Sequence, residues 1–232
     1  ALKAGSSAAE GETLVVAFDA TEPDAWARAR QTVTSAWGGV DVLVMCAGAY
    51  TPMRAWDIDI TTMSHIIDVN LRSVYLGLQS NLSDFRARGN GAVVLVASVA
   101  GLVGLPNATV YGPTKAALIN LAELLHSDVR AAGIDVYLVN PGFVRTKLTE
   151  KNAFVMPALL TPEQAAQAML AGMAAGQFSI HFPKRFTLWL YALRHLPDRL
   201  RLAIVRRFTA APESDAEVLP TTPPDVKTRP AP

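Results

Sequence analysis

Cysteine is almost missing from this chain. Cys46 stands alone among 232 residues, so no disulfide can close within it, and a reducing compartment is expected. Histidine is scarce as well. His65, His126, His181 and His195 are dispersed, with no H-x-x-x-H pair, which argues against a protein-ligated transition metal. There is no excess of charge: 21 Lys and Arg face 20 Asp and Glu, a formal net charge of +1, and this argues against nucleic acid as a partner. No apolar run is long enough to span a bilayer, and no secretory leader pattern opens the sequence, so a cytoplasmic location is expected. No internal repeat is present.

What remains is a chain rich in core-forming residues. Half are hydrophobic and 18% are charged, enough to build one α/β domain of the larger kind. Apolar runs alternate with helical patterns. Strands are expected at 13–18, 40–48, 91–98, 134–140 and 178–182, and helices at 22–38, 61–89, 111–131 and 161–176. "GAVVLVAS" is continuous and apolar, as in strands buried on both faces. Thr161 and Gln164 form a capping box with Pro162 at the first helical position, and Gly133 can end the helix before it. Such alternation predicts a doubly wound parallel sheet, a Rossmann-type three-layer α/β/α arrangement.

The stretch "NATVYGPTKAALINLAELL" sets a tyrosine four residues before a lysine at the mouth of an apolar helix. Alone, that spacing is weak, arising by chance in roughly one chain in four. Three features add weight. Ser98 ends the buried strand, and strand carboxyl ends are where open α/β sheets bind ligands. Tyr111 and Lys115 share one helical face. "VNPGFVRT" then follows the next strand, at another carboxyl end.

Together these residues resemble the short-chain dehydrogenase/reductase family over roughly residues 13–183. Ser98 lies thirteen residues before Tyr111, as the family's serine does. Asn70 in "IIDVNLRSVYLG" stands where the family has its mid-helix asparagine. Pro141, Gly142 and Thr146 match its P-G-x-x-x-T turn, Asp19 its adenine-side aspartate, and "CAG" its N-A-G turn. The resemblance implies an NAD(P)-dependent oxidoreductase interconverting a carbonyl and a secondary alcohol. Catalysis would fall to Ser98, Tyr111, Lys115 and Asn70. Cofactor contacts would come from Asp19, Ala47, Gly48, Asn70, Tyr111, Lys115, Pro141, Gly142, Val144 and Thr146, with NADP or NAD as cofactor. A phenol titrates near pH 10, so the Lys115 ammonium is expected to lower Tyr111 toward use as an acid or base. Ser98 would stabilise charge on the substrate oxygen, and Asn70 would anchor a proton relay. The family also implies a small-molecule substrate and a homodimer or homotetramer built on the helices at 61–86 and 111–131.

Two departures stand out. The family's opening βαβ unit, with its glycine-rich turn at the cofactor pyrophosphate, has no counterpart in "ALKAGSSAAEGET". The expectation is a sequence that is one piece of a longer chain. The rival is a non-catalytic scaffold, or a nucleotide-responsive binding protein, on the same fold. Cys46 replaces the turn asparagine and is expected to pack as a small buried hydrophobe.

Domain limits follow. Residues 1–183 form the catalytic domain, and 184–210 a basic amphipathic extension, divided by Pro197 into two short helices. Residues 211–232 form a Pro-rich tail expected to be disordered. Phe154, Val155, Met156, Leu159 and Leu160 give the loop after Thr146 an apolar character suited to an oily ketone or alcohol, or to packing on the body. The aromatic and basic residues of 184–208, Phe208 among them, suit peripheral contact with an anionic membrane, or packing over the substrate loop or a second subunit.

Overall fold

The computed structural model describes residues 11–151 and 156–209. Phe154, Val155, the Phe208 side chain and the proline-rich tail lie outside what it describes. Four strands pair in parallel in chain order, β1 (Val42–Met45), β2 (Gly91–Val96), β3 (Ile134–Pro141) and β4 (Ser179–Phe182). Around them run α1 (Pro23–Trp37), α2 (Ile60–Ile67), α3 (Ser73–Arg88), α4 (Tyr111–Val129), α5 (Pro162–Ala174), α6 (Lys184–Arg194) and α7 (Asp198–Thr209).

Alternation along β2 assigns the layers. Val93 and Leu95 face α3 and α4 and join Phe85, Leu118 and Ala122 in the larger core. Val94 faces the other way and packs with Val139, Ile180 and Phe182 beneath α5. Both faces of β2 are therefore covered, which is why that strand reads as an unbroken apolar run. The capping box at Thr161 forms as expected, and α6 and α7 separate at Pro197. The helix expected over 61–89 is instead interrupted. Asp68–Arg72 adopts a π turn between α2 and α3, a local widening that apolar periodicity does not encode.

The strand expected at 13–18 does not form. Leu14, Val15 and Phe18 remain substantially exposed. A strand exists only with a ladder partner, and in the doubly wound order the third and fourth strands are separated by the second and first. Among the described residues, β1 pairs only with β2, and no strand lies on its outer side. The segment is held at its end by side chains: Phe18 stacks edge-on against Trp26, whose indole N–H donates to the Ala20 carbonyl.

Helices α3 and α4 end side by side. Gly133, at φ 72°, sits so close to the neighbouring turn that a Cβ would lie 2.3 Å from the Gly89 carbonyl oxygen. Gly38, at φ 81°, closes α1 with open space around it. Gly133→Ala is therefore expected to cost about 3 kcal/mol, strain and backbone clash together, and Gly38→Ala about 1 kcal/mol from strain alone. Urea midpoints of the two variants would check the difference.

Candidate active site

Three strand ends converge at one rim of the sheet: the 46–49 turn after β1, Ser98 after β2, and the Pro141–Thr146 turn after β3. Ser98 is extended and caps a short 3₁₀ turn, its Oγ accepting from the Ala100 N–H at 3.1 Å. Its hydroxyl lies near enough to the Tyr111 side chain, at the first turn of α4, to favour the phenolate. One turn on, Lys115 is buried, at 4% exposure. Its Nζ donates to the Val96 carbonyl at 2.9 Å and lies 5.5 Å from the centre of the Tyr111 ring.

Asn70 is fully buried, because the π turn drives it inward. Its Oδ1 accepts from the Ala49 N–H at 2.7 Å, and its Nδ2 donates to the Ala49 carbonyl at 3.0 Å and to Thr114 Oγ1 at 3.1 Å. Thr114 in turn donates to the Tyr111 carbonyl. Gly48 closes the group, since a Cβ there would come within 3.7 Å of Asn70 Oδ1 and 3.9 Å of Lys115 Nζ. Ser98, Tyr111, Lys115, Asn70 and Gly48 thus occupy one place.

The electrostatics differ from expectation. Burial pushes the Tyr111 phenol up to about 12, against a smaller lowering by the nearby Ser98 hydroxyl. The Lys115 amine stands beside the ring face with one donor spent on Val96, and burial brings it down to about 8. At neutral pH the phenol is therefore neutral, and the amine is mostly charged.

Cys46 is exposed, not buried. It follows β1 on the edge of the sheet, where Val42 and Val44 are exposed too, so nothing among the described residues packs over it. It lies near enough to Tyr111 and Lys115 to act on their charge. The turn is braced instead from Asn70.

The remaining predicted residues sit apart from this cluster. Asp19 Oδ1 accepts from both the N–H and the hydroxyl of Thr21, which holds its carboxyl below the usual range and makes it a turn residue before α1. Ala47 is exposed beside Gly48. Gly142 donates to the Phe182 carbonyl, and a Cβ on it would meet the Phe186 ring at 3.0 Å. Thr146 is exposed, with its N–H bonded to Thr149 Oγ1, which itself donates to the Val144 carbonyl. Leu160 pairs back onto Phe143 and Arg145 and packs on the sheet, as the packing reading of that loop required. Sequence reading missed Thr114, Thr149 and Tyr50, whose ring stands edge-on to Tyr111 at 5.2 Å. Thr114 carried a signal, since its i+3 spacing from Tyr111 puts it on the same helical face. An open hollow of about 330 Å³ is lined by Leu102, Val103, Leu105, Gly112 and Ala116.

The residues present fit one end of a dinucleotide. The Lys115 amine has donor capacity beyond its bond to Val96, and it stands by hydroxyl groups at a strand end, a donor set suited to a ribose diol. No glycine-rich turn for a pyrophosphate occurs among the described residues.

Residues 1–154 match the family described as short chain dehydrogenase. An uncharacterized oxidoreductase of Myxococcus xanthus is 31% identical over 192 residues, which cover 83% of this chain and 76% of that protein. A 3-alpha-(or 20-beta)-hydroxysteroid dehydrogenase of Mycobacterium tuberculosis is 33% identical over 135 residues, 58% of this chain and 52% of that one, so the match spans about half the relative's length. Among solved structures, a short chain dehydrogenase from Burkholderia cenocepacia in complex with NADP superposes with a TM-score of 0.70 at 21% identity, over 85% of this chain and 78% of that one.

The buried amine yields a test. A pKa brought from 10.5 down to about 8 means the unfolded chain binds the extra proton between those values. The stability linked to Lys115 is present above pH 10.5 and is lost as pH falls through 8. Urea midpoints of the unaltered chain should therefore rise between pH 8 and 10, and Lys115→Met should remove that rise.

Proposed function

This chain belongs to the short-chain dehydrogenase family, and we propose that it is the catalytic part of an NAD(P)-dependent oxidoreductase interconverting a carbonyl and a secondary alcohol. The observation that carries the reading is Ser98 at the end of a buried strand beside Tyr111, with the Lys115 amine 5.5 Å from the centre of the tyrosine ring and bonded to the Val96 carbonyl. When bound, NADP or NAD supplies or accepts the hydride.

The chain's own groups do the rest. Ser98 donates a hydrogen bond to the substrate oxygen and stabilises charge developing there. Tyr111, a neutral phenol at working pH, gives its proton to that oxygen in reduction, and in oxidation its phenolate form takes the alcohol proton. Lys115 holds the ribose diol and, as an ammonium, favours the phenolate left after proton transfer. Asn70 is a positioning residue, because its side chain is committed to Ala49 and Thr114. Pro141, Gly142, Val144, Thr146, Ala47, Gly48 and Asp19 would supply further contacts to the bound cofactor.

The substrate class is an apolar secondary alcohol or ketone, alicyclic in kind. The hydroxysteroid dehydrogenase relative supports this, as do half-buried Met156 and Leu159 in the loop after Thr146. Exposed Tyr75 on α3 and Leu124 on α4 support a homodimer or homotetramer through those helices. The rival reading is a non-catalytic scaffold or nucleotide-responsive binding protein on the same fold.

Titrating NADPH and NADH into this chain, and into a version carrying its natural upstream codons, separates the two. Binding by the longer version names the cofactor, whereas binding by neither makes the scaffold the better reading. In the binding version, Tyr111→Phe is expected to lower kcat roughly 100- to 10,000-fold with cofactor affinity retained. Unchanged turnover would defeat the assignment.

A further inference from the structure

Charge is distributed unevenly in this protein. Residues 184–209 hold seven Lys and Arg against the single acid Asp198, a net +6 in a chain whose total is +1, so the remainder carries −5. The segment forms α6 and α7, and each helix has two working faces. Inward, Leu190 and Leu193 are buried in the larger core, and Ile204 and Val205 pack against it. Outward, Leu188, Leu200 and Leu202 are 55%, 50% and 60% exposed, and Trp189 is 46% exposed.

The outward face of α7 has an order. At about 100° per residue, Leu202, Arg206, Arg199, Ala203, Arg207 and Leu200 follow one another across a single arc. Three exposed arginines are thus flanked by two exposed leucines. Arg201 lies outside the arc, bonded to Asp198 at 2.7 Å and to the Arg194 carbonyl at 3.3 Å. On α6, Lys184 and Arg185 stand beside Leu188 and Trp189 in the same manner.

From this arrangement we propose that the outer face of α6 and α7 docks on an anionic lipid bilayer. Cations at phosphate depth, with leucine and tryptophan side chains reaching the acyl boundary, are what such a surface accepts. A second copy of this chain is disfavoured, because Lys184, Arg185, Arg199, Arg206 and Arg207 would face the same five cations. No described helix is long and apolar enough to cross a membrane, so the contact is peripheral.

The same two helices touch the site. The Phe186 ring packs 5.7 Å from Phe143, and its edge bounds Gly142 in the turn after β3. Docking therefore engages a helix whose inner side packs against that turn. The docking itself does not depend on the reaction proposed above.

The test is flotation of the full chain with vesicles of phosphatidylcholine alone, and of phosphatidylcholine mixed with phosphatidylglycerol, at low and high salt. The expected result is binding to the mixed vesicles only, weakened by salt. Arg199→Gln/Arg206→Gln/Arg207→Gln should weaken it roughly 100-fold, and Leu200→Ser/Leu202→Ser at least about tenfold, with circular dichroism unchanged. The proposal is overturned by failure to float with anionic vesicles, by equal binding to phosphatidylcholine alone, or by full binding in either variant. Sedimentation as a dimer that the leucine variant dissociates, without vesicle binding, would assign the face to a second copy instead.

Discussion

A single buried amide ties together the parts on which this site depends. Asn70 bridges the turn after β1, through both backbone groups of Ala49, to the helix bearing Tyr111 and Lys115, through Thr114. A fully buried amide must satisfy its polar atoms or destabilise the fold. Here the satisfaction is three bonds to two segments distant in sequence. The π turn makes this geometry available, since widening the helix by one residue turns Asn70 inward. Rigidity of the turn, the kink and the α4 entry is therefore one property.

Burial then sets the chemistry. The same packing buries Lys115 and half-buries Tyr111, and the phenol and the amine move in opposite directions as they lose water. Each move favours the neutral form. An amine placed over the ring face, with a donor committed to Val96, does not offset the loss of solvent at the phenol oxygen. Proximity in sequence brought the two groups together. Its electrostatic balance depends on orientation, which spacing leaves open.

The carboxyl-terminal helices extend this logic to the surface. Their inner faces complete the core and steady the turn after β3, and their outer faces carry the chain's positive charge beside exposed leucines. An element that served packing alone would have no need of an arginine arc on its far side. A buried polar contact links the element to the sheet as well, Asn140 Nδ2 donating to Tyr191 at 2.9 Å.

Much of the fold was legible because it is local. β2 declared itself by an unbroken apolar run, α5 by its capping box, and the α6–α7 break by Pro197, each a property of neighbouring residues. Ser98, Tyr111 and Lys115 were legible as well, since helical spacing and a strand end suffice to bring them together. Other features are not local. Whether 13–18 becomes a strand depends on a ladder partner, and whether Cys46 is buried depends on what covers the edge of the sheet. The π turn, the clamp from Asn70 to Ala49 and Thr114, and the raised Tyr111 phenol depend on packing across dozens of residues. The sequence by itself determined which chemical groups are present and which neighbours share a face. Tertiary structure decided which of them are dry, which are paired and which are left open, because desolvation and hydrogen bonding are settled only where distant segments meet.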